Sequence, residues 1–158
     1  MSQLTAGEIM TRGVLTAEAD WSIDELRTFL VQHSITGAPV VNARGKLLGV
    51  VSTTDLMRAA TEGTASEDTQ NLYAFSLDRP LAREELQNLD VHTASAIKVF
   101  EIMTPLVFEV APNNSIRTVA EMMTRGRIHR VFVTSGGRLE GVISALDLVR
   151  VLRDMLDD

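Results

Sequence analysis

Apolar positions along this chain follow a helical rhythm, then a strand rhythm, and then repeat both. Ile23, Leu26 and Leu30 share one face at helical spacing. Ser22 stands before them and Glu25 three residues after it, so the helix opens on a capping box. Val14-Leu15-Thr16 ahead of it reads as a short strand. Gly37 and Pro39 break the helix and lead into the strand Ala38-Pro39-Val40-Val41, with proline near its start. Asn42-Ala43-Arg44-Gly45 is a turn into a third strand, Leu47 to Val51. Ser52 then caps a second helix that runs through Leu56 and Met57 to about Ala60.

The second half follows the same plan. A strand from Val107 to Val110 precedes a helix capped by Ser115, with Ile116, Val119, Ala120 and Met123 on one face. Val131 to Thr134 and Leu139 to Ile143 are strands joined through Ser135-Gly136-Gly137, and a last helix starts after Ser144. The likeness is also literal. Glu8-Ile9-Met10-Thr11 recurs as Glu101-Ile102-Met103-Thr104, and Gly49-Val50-Val51-Ser52-Thr53-Thr54-Asp55 recurs as Gly141-Val142-Ile143-Ser144-Ala145-Leu146-Asp147. The first pair lies 93 residues apart and the second 92, so the second copy has lost one residue at the turn equivalent to Asn42–Arg44. Self-similarity at a fixed spacing means one supersecondary unit used twice, each copy burying a face it cannot cover alone. The expected fold is mixed α/β (α+β), with each repeat running β-α-β-β-α and the two related by a pseudo-twofold axis. Clefts between such copies are natural ligand sites.

The expected boundaries are 6–60 for the first repeat, 61–98 for an acidic insertion and 99–153 for the second repeat. Within the insertion, Gly63 to Gln70 reads as a loop, and Pro80 followed by Leu81, Glu85, Leu86 and Leu89 reads as a short amphipathic helix. It is either a packed excursion or a lid or partner-docking element. The last helix carries two apolar stripes, Leu146, Val149 and Leu152 on one side and Leu148, Val151 and Met155 on another. A helix apolar on two sides wants two partners, which points to a homodimer.

Composition narrows the functional classes. The 158 residues are 45% hydrophobic and 23% charged, a soluble balance, and the absence of cysteine excludes disulfides and thiolate chemistry. No apolar run is long enough to span a membrane and no leader is evident at the start, so the expected location is cytoplasmic. The net charge of −6 is concentrated between Glu62 and Asp90, where seven acids face two bases. That argues against nucleic acid as a partner but leaves room for a small anion held by local bases. His33, His92 and His129 lack metal-ligand spacing, no metal is expected, and no catalytic constellation is evident, so the chain does not read as an enzyme.

The Gly49–Asp55 and Gly141–Asp147 turns carry the chemistry. A glycine at the end of a strand lets a ligand approach the backbone closely. Ser52 and Thr54 put hydroxyls at a helix N-terminus, where free N–H groups favour an anion such as phosphate. Asp55 offers two acceptors, suited to the paired hydroxyls of a ribose. The same Ser-x-x-Asp is equally a capping arrangement that merely satisfies backbone donors. The second copy departs from the first, because Leu146 replaces the hydroxyl of Thr54.

The Ile-Met-Thr opening, the Pro-Val strand and the Gly-x-x-Ser-x-x-Asp turn, all duplicated, resemble the cystathionine-beta-synthase (CBS) domain, and the pair resembles a Bateman module. The resemblance covers residues 6–60 and 99–153. It implies a regulatory or sensory module that binds AMP, ADP, ATP or S-adenosylmethionine, forms a homodimer and reports occupancy to a regulated protein. By the same resemblance Asp55 and Asp147 hold ribose. One site then gathers Ser52, Thr54 and Asp55 with Val107, Phe108, Ile128, His129 and Arg130. The other gathers Ser144 and Asp147 with Val14, Leu15, Ile35, Thr36, Gly37 and Ala38. Ile128-His129-Arg130 resembles the phosphate-contacting His-Arg of the regulatory gamma subunit of AMP-activated protein kinase, and arginine suits phosphate because it binds two oxygens at once. The rival reading is a ligand-free dimerisation scaffold.

Overall fold

The computed structural model describes residues 3–62, 97–105 and 107–157, and the expectations for 63–96 fall outside them. In chain order the elements are α1 (Ala6–Ile9), β1 (Ala17–Glu18), α2 (Ile23–His33), β2 (Gly37–Val41), β3 (Leu47–Ser52), α3 (Thr53–Glu62), α4 (Val99–Ile102), β4 (Glu109–Val110), α5 (Ile116–Gly126), β5 (Arg130–Ser135), β6 (Arg138–Ser144) and α6 (Ala145–Leu156). They form two compact units. One is Leu15–Leu106; the other joins Met1–Val14 to Val107–Asp158.

In the first unit β1, β2 and β3 make a three-stranded sheet in that order, with β1 parallel to β2 and β3 antiparallel to it. Helix α2 is the crossover that a parallel pair requires. It begins where the sequence predicts: the Ser22 side chain accepts from the Glu25 N–H at 3.2 Å, and the Glu25 carboxylate accepts from the Ser22 N–H at 2.8 Å. Its inward stripe, Ile23, Leu26 and Leu30, is fully buried among Val40, Val51 and Leu56. Each such side chain contributes about 1.5–3 kcal/mol by leaving water. Gly37, expected to break the helix, instead starts β2 opposite Ser52.

The second unit repeats this with β4, β5 and β6. Ser115 caps α5 by accepting from the Thr118 N–H at 3.2 Å, and Val119 and Met123 point into the core. Between β5 and β6, Gly136 and Gly137 both have positive φ, the requirement of the tight hairpin turn that suits twisted strands. The lost residue is at this turn: β2 and β3 need the longer Asn42 loop, in which Asn42 Oδ1 accepts from the N–H groups of Arg44 and Lys46.

Two sequence expectations need correction. The opening strands are Ala17–Glu18 and Glu109–Val110, not Val14–Thr16 and Val107–Val110. Their extent is set by pairing with Val40–Val41 and Phe132–Val133, which residue preference does not reveal. On α6, Leu148 turns inward, whereas Leu146, Val149, Leu152, Met155 and Leu156 are each more than half exposed, so Met155 leaves the inward stripe.

The duplicated motifs meet in a crossed arrangement. Met103-Thr104 of the second copy sits on Gly49 of the first, where Val50 and Thr104 exchange N–H···O bonds of 2.9 and 2.8 Å. Met10-Thr11 of the first copy sits on Gly141 of the second, where Thr11 and Val142 exchange bonds of 2.9 and 3.0 Å. A Cβ on Gly49 would strike the Thr104 carbonyl oxygen, and one on Gly141 would lie 2.6 Å from Met10 Sδ and 2.9 Å from the Thr11 carbonyl oxygen. These glycines therefore admit the chain's own backbone, which corrects the expectation that they leave room for a ligand.

Candidate functional site

Each Ser-x-x-Asp turn links the last strand of a sheet to a helix. In the first unit, Gly37 pairs with Ser52 and the Thr36 carbonyl accepts from the Thr53 N–H at 2.8 Å, so Thr36–Ala38 lies beside the turn. Ser52 and Asp55 are buried and Thr54 is half-buried. The expected cap is present, and it uses one oxygen. Asp55 Oδ2 accepts from the Ser52 N–H at 2.8 Å and from the Ser52 hydroxyl at 3.2 Å. Asp55 Oδ1 accepts no hydrogen bond among the described residues, although the residue is only 2% exposed.

A buried carboxylate with an unmet oxygen is costly, and the fold resists its charge. Burial pushes the Asp55 carboxyl up to about 6, against the lowering effects of the Ser52 hydrogen bonds and the Arg58 charge. Glu8 is a contrasting cap. Its carboxylate takes the Thr5 N–H and hydroxyl at the protein surface, and these bonds hold it below the usual carboxylate range.

The second turn has the same cap and a different free edge. Asp147 Oδ2 accepts from the Ser144 N–H at 2.8 Å and the Ser144 hydroxyl at 3.0 Å. Its Oδ1 accepts from Arg150 Nη1 at 3.2 Å. The unit also places two predicted phosphate residues near this turn: Arg130 pairs with Ser144 across the strands, and the His129 carbonyl accepts from the Ala145 N–H at 2.8 Å. Both side chains are exposed.

The two predicted residue sets each draw on both units. Ser52, Thr54 and Asp55 share the first unit with Leu15 and Ile35–Ala38, whereas Ser144 and Asp147 share the second with Val14, Val107, Phe108 and Ile128–Arg130. Sequence reasoning missed Arg150, whose signal was a basic residue three positions after an acid on a helix. It also missed Thr104, whose buried hydroxyl has no hydrogen-bond partner among the described residues. Among those residues no group of three or more His, Cys, Asp or Glu could hold a metal ion, and no helix is long and apolar enough to cross a membrane.

The model of the CBS domain family matches residues 6–62 and 99–154. The chain belongs to the CBS domain family. An uncharacterized protein of Methanocaldococcus jannaschii is 31% identical to this CBS pair over 153 residues, 92% of this chain and 89% of its own. The chloroplastic CBS domain-containing protein CBSX2 of Arabidopsis thaliana is 27% identical, matching 92% of this chain but 62% of that protein. The solved structure of CBSX2 in complex with AMP aligns at a TM-score of 0.65 and 23% identity, covering 96% of this chain and 97% of that one. The CBS domain pair of protein MJ0100, in complex with 5′-methylthioadenosine and S-adenosyl-L-methionine, aligns at 0.64 and 22%, covering 98% and 99%. These two structures establish the fold of the CBS pair.

Proposed function

We propose that this CBS pair is a regulatory module that binds an adenosine-containing ligand (AMP, ADP, ATP or S-adenosylmethionine) and passes its occupancy to a protein partner. The carrying observation is Asp55 Oδ1, a buried acceptor left over after the cap is complete. A carboxylate oxygen has lone pairs for the adjacent 2′ and 3′ hydroxyls of a ribose, which would relieve the cost of burying it. Capping and sugar binding are then compatible tasks of one side chain, one oxygen for each. For the rest of the ligand we propose Val107, Phe108 and Ile128 against the base and Arg130, with His129, toward the phosphate. CBSX2 with AMP and the MJ0100 pair with adenosyl ligands support this choice of chemistry. Signalling follows if occupancy favours one conformation over another, because a ligand shifts an equilibrium only by its differential affinity.

Thermal melts with each of the four ligands test the reading. A ligand at ~100 times its Kd adds about 2.7 kcal/mol. For a chain of this length that raises Tm by roughly 5–10 °C, and Asp55→Ala removes the shift. Melts unmoved by all four ligands would favour the ligand-free scaffold. That second reading draws support from the outer face of α6, where five exposed apolar side chains are suited to a second copy of the chain. Sedimentation of wild type and Leu152→Glu tests this dimer face, which both readings expect, with dimers for the first and monomers for the second; the ligand melts decide between the readings.

A further inference from the structure

The segment from Leu4 to Thr11 is a hook seated on residues far from it in sequence. The Leu4 carbonyl accepts from the Ile116 N–H at 3.0 Å, and the Ala6 and Gly7 N–H groups donate to the Asn114 and Pro112 carbonyls at 2.7 and 2.8 Å. Thr11 and Val142 exchange two bonds, Ala6 is fully buried, and Met10 Sδ stands 2.6 Å from where a Cβ of Gly141 would be. Within the hook, Glu8 takes the Thr5 N–H and hydroxyl. These outside partners all belong to the unit that holds residues 107–158, whereas the chain leaves the hook through residues 12–16 into β1 of the other unit.

That connection is short and bent. Arg12, Gly13 and Leu15 are exposed, and Gly13 has a left-handed φ of +67° with nothing within 4 Å of where its Cβ would stand. Short hinges under conformational constraint favour exchange of an element between identical chains, because the partner remakes every contact of the element and only the hinge changes. We propose that residues 4–11 are an exchangeable arm: when the hinge straightens at Gly13, the arm of one copy seats on residues 112–116 and 141–142 of a second copy, and the second returns its own. The seat's chemistry names the occupant. Gly141 admits Met10 only because it lacks a side chain, and the paired bonds to Val142 set the register. The other Glu-Ile-Met-Thr of the chain, residues 101–104, is already engaged with Gly49 and Val50. The proposal is independent of the nucleotide reading, and of the α6 face, which would pair two copies without moving the arm.

The chain has no cysteine, so single cysteines report the exchange. One full chain carries Thr11→Cys and another Val142→Cys, positions that face each other across the bridge with Cα atoms about 5.5 Å apart, within disulfide range. The two chains are unfolded together in urea, refolded at low and at high protein concentration and oxidised, and the links are mapped by mass spectrometry. The expected product is a covalent dimer joined 11 to 142, its share rising with concentration. Gly13→Val in both chains disfavours the left-handed bend without a clash, and should raise that share's equilibrium constant by about 5- to 30-fold per hinge. Gly13→Asn, which tolerates positive φ, should behave as wild type. Absence of the 11–142 link between chains at high concentration overturns the proposal, and so does a link that Gly13→Val leaves unchanged. Dimers that sediment as such but carry no 11–142 link belong to the α6 face and overturn it equally. Should Gly13→Val fail to fold, the pair with the natural hinge decides alone.

Discussion

Asp55→Asn reads whether burial or the serine cap dominates the ionisation of this carboxylate. Burial raises the Asp55 carboxyl from 3.8 to about 6, roughly two units, and each unit is worth about 1.4 kcal/mol. The sign follows from linkage. The folded state binds this proton more tightly than the unfolded chain, so the associated stability of ~3 kcal/mol is fully present below pH 3.8 and is lost as pH rises through about 6. Asparagine keeps an oxygen for the Ser52 donors and cannot ionise, but it buries an amide N–H₂ where Oδ1 stood, at a cost of about 1–3 kcal/mol. Near pH 4 the variant should therefore be no more stable than wild type. By pH 8 the comparison should have moved in the variant's favour by up to about 3 kcal/mol, making it equal or superior. Urea unfolding at half-unit steps from pH 4 to 8 measures the difference directly. A cap carboxylate at the surface, like Glu8, has its pKa lowered by its hydrogen bonds and gives the opposite slope. A difference that is flat with pH, or one that grows in favour of wild type as pH rises, would refute the reasoning.

Other outcomes follow from the same geometry. Hydroxyl donors prefer the ionised carboxylate, so adenosine should bind about tenfold more weakly at pH 5 than at pH 7.5 if Asp55 titrates near 6. Calorimetry at the two values checks this, and equal affinities would exclude Asp55 as the acceptor. Gly49→Ala should cost about 1–3 kcal/mol or more, because its methyl group meets the Thr104 carbonyl and Pro105 Cα at 3.2 Å, atoms of the main chain. Gly141→Ala should cost less, since part of its obstruction is the rotatable Met10 side chain. Chemical denaturation ranks the two, and a neutral Gly49→Ala would show that the backbone approach is not tight.

Much of this fold could be read locally, and what could not was set by distant pairing. Ser22 with Glu25, the Asn42 turn and the Gly136-Gly137 hairpin are decided by neighbours a few residues away, and all appear where the pattern puts them. The first strand of each repeat is two residues long and exists only because Val40–Val41 or Phe132–Val133 lies alongside. Val14 and Leu15 look more strand-like than Ala17 and Glu18, yet preference lost to pairing. At the turns, residue types revealed the carboxylates but not the division between their oxygens. Asp55 and Asp147 each hold the serine three residues before them, Ser52 and Ser144, and what distinguishes them, an unmet oxygen in one and Arg150 on the other, is a matter of side-chain placement. The glycines misled for a related reason: a gap in the sequence does not say what fills it.

The crossing of the opening segments has a consequence for how this molecule can be divided. A piece ending at residue 62 would keep Ala6 and Met10, whose seats are on the other piece, and would lack Val99, Ile102 and Thr104, which complete its own core. Severed halves are thus complementary fragments, each finished only by material from the other. A lone repeat would survive as a working fold only beside a sibling that lends it these few residues, so the duplication is a structural requirement of the pair and not a redundancy within it.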